Sequence, residues 1–201
     1  MKKLILLIGC LMLLLPLTSN GSQITQLVKM GVSTPITKTI QHLQPRLSWN
    51  AANHHAWLIY EVAESTGVDW KNLVAITFQE SSFKHFKGDR SCGLTSDGTE
   101  ACVWKTFGPM HVYYAVWKKR LKLSSQRMLH DLKYGYQIGA AILLLQRTAH
   151  IDTDANWIGR YNSSTRKHKL AYASRVYKHR ERIRILLDNL VAKAQKRKLQ
   201  V

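Results

Sequence analysis

Apolar positions in this chain recur mostly at helical spacing, and no stretch shows the strict alternation of a half-buried strand over a useful length. From Trp49 the residues Trp57, Leu58, Tyr60 and Ala63 fall at helical intervals, with Glu61 among them, until Thr66-Gly67, where the glycine suits a C-terminal cap. Asp69 then stands as an N-cap before a second helix, Trp70 to Glu80, that ends near Ser81-Ser82. Residues 83 to 109 carry Gly88, Gly93, Gly98, Gly108 and Pro109 among polar residues and read as a long loop or short irregular sheet. Beyond it the pattern predicts a short helix over Met110 to Arg120. A longer core helix follows from Gln126 to His150, capped by Ser124-Ser125 and carrying Leu129, Leu132, Tyr136, Ile138, Ile142, Leu143 and Leu145. Asp154 is placed to cap a short helix through Trp157 and Ile158 to Tyr161. A final helix runs from Lys167 into the 190s, with Leu170, Ala173, Val176, Tyr177, Ile183, Leu187 and Leu190 on its apolar side. There is no internal repeat and no phosphate-binding glycine loop, so the expectation is a mainly α, single-domain protein.

The two ends differ in character from this core. Met1-Lys2-Lys3, the apolar run Leu4 to Leu17 and the polar Thr18 to Gly21 read as a secretory signal peptide over 1–21, with cleavage after Gly21. The run is shorter than the roughly 20 residues of a spanning helix, so an uncleaved membrane anchor is the lesser alternative. Leu7-Ile8-Gly9-Cys10 looks like a lipoprotein box, but the mostly apolar residues after it argue against lipidation. Residues 22–48, polar and holding Pro35 and Pro45, are expected to be a linker or N-terminal extension. The catalytic-size domain is then 49–190, followed by a basic tail over 191–201.

The formal net charge of +18 stays strongly basic without Lys2 and Lys3 and calls for an anionic partner. Export favours acidic cell-wall groups or anionic phospholipid head groups, in particular through Lys193, Lys196, Arg197 and Lys198, and argues against nucleic acid. With the leader removed, Cys92 and Cys102 are the two remaining cysteines, and an oxidising compartment makes a disulfide between them the expected use. Buried free thiols are the alternative. A metal site would need more ligands than His85 and His111 supply, so no metal or cofactor is expected.

Glu80 is the residue with the clearest chemical setting. Leu73, Ile76 and Thr77 precede it on the same helix face, so its carboxyl group should stand on a buried, largely apolar wall. Desolvation there disfavours the ionised form and keeps the group protonated near neutrality, as a general acid requires. A structural glutamate paired with a surface cation is the bland alternative.

Its neighbours extend the pattern. Gln79-Glu80-Ser81-Ser82-Phe83 is followed by Thr106-Phe107-Gly108-Pro109-Met110-His111-Val112, by a helix with Asp131 and Gly135, and by Tyr161-Asn162. In this order the four segments resemble the soluble lytic transglycosylases, relatives of goose-type lysozyme, which show Glu-Ser, Ser-x-Gly-Leu-Met-Gln, a glycine-bearing helix and Ala-Tyr-Asn. The resemblance spans roughly residues 57 to 177. It implies a lysozyme-like α domain with a long loop between catalytic helix and groove. It further implies cleavage of the bond between N-acetylmuramic acid and N-acetylglucosamine in peptidoglycan by Glu80 acting as acid and then base, with anhydro-muramyl ends as product. Ser81, Thr106, Met110, His111, Tyr161 and Asn162 would contact substrate. The family's Gln is His111 here and its Leu is Pro109. Asp89, Asp97 and Glu100 are not foreseen by the motif, and Asp89 or Asp97 would serve a goose-type hydrolase as the residue that positions water. A non-catalytic basic module that binds peptidoglycan or nucleic acid is the reading from another class. An accessory role in a secretion, conjugation or surface-assembly machine is the expected setting.

Overall fold

The computed structural model describes residues 34–84, 87–96 and 98–198, so the leader, the first part of the proposed linker (22–33), His85, Asp97 and the last three residues lie outside the described residues. Its elements in chain order are α1 (Thr34–Leu43), α2 (Trp49–Thr66), α3 (Trp70–Ser81), β1 (Arg90–Leu94), β2 (Glu100–Trp104), β3 (Thr106–Phe107), β4 (Val112–Tyr113), α4 (Tyr114–Leu121), α5 (Ser125–His130), α6 (Leu132–His150), a 3₁₀ turn (Trp157–Tyr161) and α7 (Arg166–Lys198). The protein is mainly α, with two small antiparallel hairpins, β1-β2 and β3-β4.

The central element is α3. Every residue from Asn72 to Thr77 is buried, so this helix is covered on all sides rather than on one stripe. Its neighbours α2, α6 and α7 supply the packing, and Leu73, Val74, Ala75 and Ile76 sit with Ile59, Val62, Tyr136, Leu143, Val176 and Ile183 in one continuous core. Each Val, Leu or Ile side chain among these contributes roughly 1.5–3 kcal/mol by leaving water. The ends of the helices follow their caps. Ser48 accepts from the Ala51 N–H to start α2, Gly67 at φ 69° closes it, and Asp69 accepts from Lys71 N–H at 2.9 Å to start α3. Asp69 also receives Arg180 of α7 at 3.0 Å, which ties the start of the central helix to the long C-terminal one.

Three local features depart from the sequence expectation. Part of the stretch read as linker is α1, whose Ile36, Thr37, Thr39, Ile40 and Leu43 are buried against α2 and α7. The Ile36, Ile40 and Leu43 spacing is helical, but Pro35 and the threonines conceal it, and a proline is harmless in a first helical turn. Met110 is not helical. It belongs to the turn that joins β3 to β4, and α4 begins only at Tyr114. The expected helix of 126–150 is broken at Asp131, which adopts an extended backbone (φ −117°, ψ 96°) and turns its carboxylate onto the Tyr134 N–H at 2.9 Å to cap α6. A capping aspartate inside an apolar pattern thus restarts the helix in a new direction.

Below the turn after α3 lies a buried polar pair from two other helices. His55 of α2 meets the Tyr136 hydroxyl of α6 at 2.8 Å, and its ring stands edge-on to Phe83. Burial pushes the imidazole down to about 4, so His55 is neutral at physiological pH and the pair satisfies itself without charge.

α7 reaches the 3₁₀ turn through a close backbone approach. A Cβ on Gly159 would lie 2.1 Å from the Lys169 carbonyl oxygen, and Asp154 holds the same junction by accepting from Lys169 at 2.7 Å and Arg160 at 3.0 Å. Because the obstructing atom is backbone, Gly159→Ala is expected to destabilise the fold by about 1–3 kcal/mol in urea unfolding. An unchanged midpoint would contradict this packing.

Candidate active site

A cleft of about 540 Å³ opens where six parts of the chain converge. Glu80 comes from the last turn of α3, Gly88 and Asp89 from the approach to β1, Thr106 from β3, His111 from the β3-β4 turn, Tyr113 from β4, and Tyr161 and Asn162 from the 3₁₀ turn. Its size falls within the roughly 300–1,000 Å³ typical of ligand sites.

Glu80 owes its place to helix geometry. Its side chain follows the buried Leu73–Ile76–Thr77 face and is only 14% exposed. Burial raises the carboxyl from its ordinary value to about 7, the Tyr172 hydroxyl opposes that rise, the negative charge of Asp89 adds to it, and Arg175 opposes it again. The Tyr172 hydroxyl is buried and makes no hydrogen bond of full geometry. It nevertheless faces Glu80 closely enough to favour the carboxylate. His111 Nδ1 stands 3.9 Å from Glu80 Oε2. Burial holds the imidazole below its usual value against the pull of Asp89, so at neutral pH it meets Glu80 as a neutral ring and not as a cation.

The turn from Gly108 to His111 is the piece of backbone on which this geometry rests. Gly108 (φ 77°) and His111 (φ 43°) are both left-handed, and the His111 N–H closes the turn on the Gly108 carbonyl at 3.1 Å. A left-handed backbone at a non-glycine residue is costly and persists only where surrounding contacts enforce it. Here two side chains do so. Ser81 donates to the Pro109 carbonyl at 2.6 Å, and Tyr161 donates to the Met110 carbonyl at 2.9 Å. Under the turn, α6 offers Gly135 and Gly139, where a Cβ would come within 2.6 Å of Pro109 Cδ and 2.2 Å of Met110 Sδ. The glycines make the notch that seats the turn.

The structure therefore divides the residues proposed from sequence. It brings Glu80, Thr106, His111, Tyr161 and Asn162 to the cleft wall. Ser81 and Met110 are turned away from it: Ser81 is spent on the Pro109 carbonyl, with the more distant Thr77 carbonyl beside it, and Met110 is fully buried on Gly139. Asp89, named from sequence only as a rival, lies in the cleft. Gly88, Tyr113, Tyr172 and Arg175 escaped the sequence reading. Gly88 packs so closely that a Cβ would fall 1.9 Å from Thr106 Oγ1, and this lets the Asp89 N–H reach that same oxygen at 2.9 Å. A glycine before an acidic residue was the only signal, and it is a weak one. Tyr172 carries none beyond its place on the apolar side of α7.

Cys92 and Cys102 face each other across the β1-β2 ladder with sulfurs 2.07 Å apart, at disulfide distance. With Glu100 they are the one cluster of potential metal ligands among the described residues, and sulfurs at bonding distance have no thiolate to offer. No helix among the described residues is long and apolar enough to cross a membrane. No protein-family model matches this chain, and no curated protein matches its sequence.

The raised pKa has a consequence for stability. Glu80 binds its proton more tightly folded than unfolded, so its ionisation costs stability progressively as pH rises from 4.5 to about 7 and fully above that. Glu80→Gln is expected to stabilise the protein at pH 8 by up to about 3 kcal/mol and to leave it unchanged at pH 4, where both states are protonated. Equal gains at the two pH values would show that the carboxyl is not held out of water.

Proposed function

We propose that this chain is an exported peptidoglycan lytic transglycosylase with a lysozyme-like domain, in which Glu80 is the catalytic acid and base. The observation that carries the proposal is a single buried carboxyl group, raised to about 7, on the wall of an open cleft. Three motif segments support it, Glu80-Ser81, Gly108 to His111 and Tyr161-Asn162, because each brings a residue to the wall of that cleft, and Gly135 of the fourth seats the Gly108–His111 turn.

In the proposed reaction the protonated Glu80 gives its proton to the oxygen linking N-acetylmuramic acid to N-acetylglucosamine. The muramyl C1–O bond breaks, and the glucosamine leaves as an alcohol. The muramyl C6 hydroxyl then attacks C1 and returns its proton to the Glu80 carboxylate, closing the anhydro ring and restoring the acid. No water enters. Thr106, whose oxygen already accepts from Asp89 N–H, keeps its own proton to donate to substrate, and Asn162 and Tyr113 border the same space.

One observation favours a second reading. Asp89 shares the cleft with Glu80, and two carboxylates on either side of a sugar are the arrangement of a hydrolase that activates water. The products separate the two. Digestion of purified sacculi should release muramyl ends one water lighter than reducing ends; exclusively hydrated ends would sink the transglycosylase reading and favour Asp89 as base. In either case Glu80→Gln should lower turnover by at least about a thousandfold, since it removes the general acid on which both reactions rely. Retained turnover would refute Glu80 as the acid, and binding of sacculi by the parent protein without any cleavage would leave the non-catalytic basic module as the better account. The acid must be protonated in the free enzyme, so kcat/KM should fall about tenfold per pH unit above 7 and level off below it.

A further inference from the structure

The β1-β2 hairpin leaves the cleft wall and exposes its side chains on both faces. Arg90 and Leu94 of β1 and Val103 and Trp104 of β2 are all exposed, Leu94 by 79% and Val103 by 64%. Its base is fixed to the cleft. Asp89 and Thr106, which line the cleft, directly precede β1 and begin β3, Lys87 is bridged to Phe107, and Arg90 is the ladder partner of Trp104. None of the three lines the cleft itself, but each adjoins a residue that does: Lys87 precedes Gly88, Arg90 follows Asp89, and Trp104 lies two residues before Thr106.

These three residues form a unit. Lys87 Nζ lies 5.6 Å and the Arg90 guanidinium 5.7 Å from the centroid of the Trp104 ring, within the range of cation–π attraction, and the indole stays 37% exposed. Neither cation has a carboxylate partner among the described residues, although Arg127, Lys133, Arg160, Lys169, Arg180 and Arg184 all do. Two positive charges are thus held over an aromatic surface without a salt-bridge partner among the described residues. That combination suits a ligand with an apolar C–H face and a carboxylate beside it.

We propose that Trp104, Lys87 and Arg90 form a binding subsite for the muramyl unit next to the cleaved bond, the indole taking the sugar's C–H face and the two cations the free carboxylates of its stem peptide. The inference rests on the peptidoglycan reading above and adds to it a preference for strands that still carry their stems. Ordering by the indole lowers the entropy cost that two long side chains otherwise lose on pairing with an anion.

The test uses the full mature chain carrying Glu80→Gln, so that binding is read without cleavage. Its co-sedimentation is measured with purified sacculi and with the same sacculi stripped of stem peptides by an amidase. Lys87→Gln/Arg90→Gln is expected to weaken binding to intact sacculi about tenfold and to abolish the preference over stripped ones; Trp104→Ala should weaken both. Lys71→Gln/Arg147→Gln, which removes the same charge beside the start of α3, at the end opposite Glu80, should change neither. If the parent binds sacculi and the Lys87→Gln/Arg90→Gln protein binds them equally well, or if both charge-removal pairs lose equally, the subsite is refuted. If the parent does not bind sacculi at all, the peptidoglycan reading falls and the subsite with it. In the active protein the substitutions should raise KM on sacculi and leave kcat nearly unchanged, and a fall in kcat alone would equally overturn a binding role.

Discussion

The carbonyl groups of Pro109 and Met110 are the acceptors on which the site depends. They belong to a tight turn with left-handed residues at both ends, buried between α3, α6 and the 3₁₀ turn, where no regular ladder satisfies them. Ser81 and Tyr161 meet them from opposite ends of the sequence. Each bond is worth about 1 kcal/mol net, but leaving either carbonyl unpaired in the interior costs about 1–3 kcal/mol, so the two hydroxyls act chiefly by preventing that loss. With the turn fixed, His111 stands beside Glu80, Val112 starts the strand that carries Tyr113, and the 3₁₀ turn is drawn in with Asn162. The same hydrogen bonds that stabilise the fold thereby set the width of the cleft.

The seat of the turn explains why glycines recur in α6. Gly135 and Gly139 lie one helical turn apart, so both face the same neighbour, and each is too close to Pro109 or Met110 to tolerate a side chain without movement. A glycine inside a helix costs roughly 1 kcal/mol relative to alanine, and here that cost is offset by the close packing of the turn. Met110, flexible and fully buried, fills the remaining space.

How far the sequence foretold this depends on whether the signal was local. The end of α2 and the start of α3 were legible because Gly67 and Asp69 act within a few residues of themselves, and α7 because its pattern is long. The break at Asp131 was not, since an aspartate inside an apolar pattern reads equally as a solvent-facing residue. α1 was lost because Pro35 and the threonines outweigh an apolar stripe of three. In the site, Glu80 stood out by its position on a buried helix face, whereas Ser81 looked like a substrate contact only because it adjoins Glu80. Its actual partner, the Pro109 carbonyl, is 28 residues away. Tyr172, Arg175 and Gly88 act through neighbours that only folding supplies.

The electrostatic balance at Glu80 bears on whether one carboxyl group suffices. A general acid must hold its proton at the working pH, and the base that remains after transfer must recover one, and both demands are best met when the pKa lies near that pH. Burial serves the two together, because desolvation that keeps the acid protonated also makes its conjugate base a stronger acceptor. Unopposed burial would overshoot and leave a group too weak to donate. The Tyr172 hydroxyl and the Arg175 charge pull the other way, and the result sits at about 7. Asp89 pushes upward through its own charge, so in the proposed mechanism it would favour the acid step without touching a proton. Its presence in the cleft is therefore compatible with a mechanism that uses one carboxyl group twice, and a neutral His111 beside Glu80 leaves that balance undisturbed.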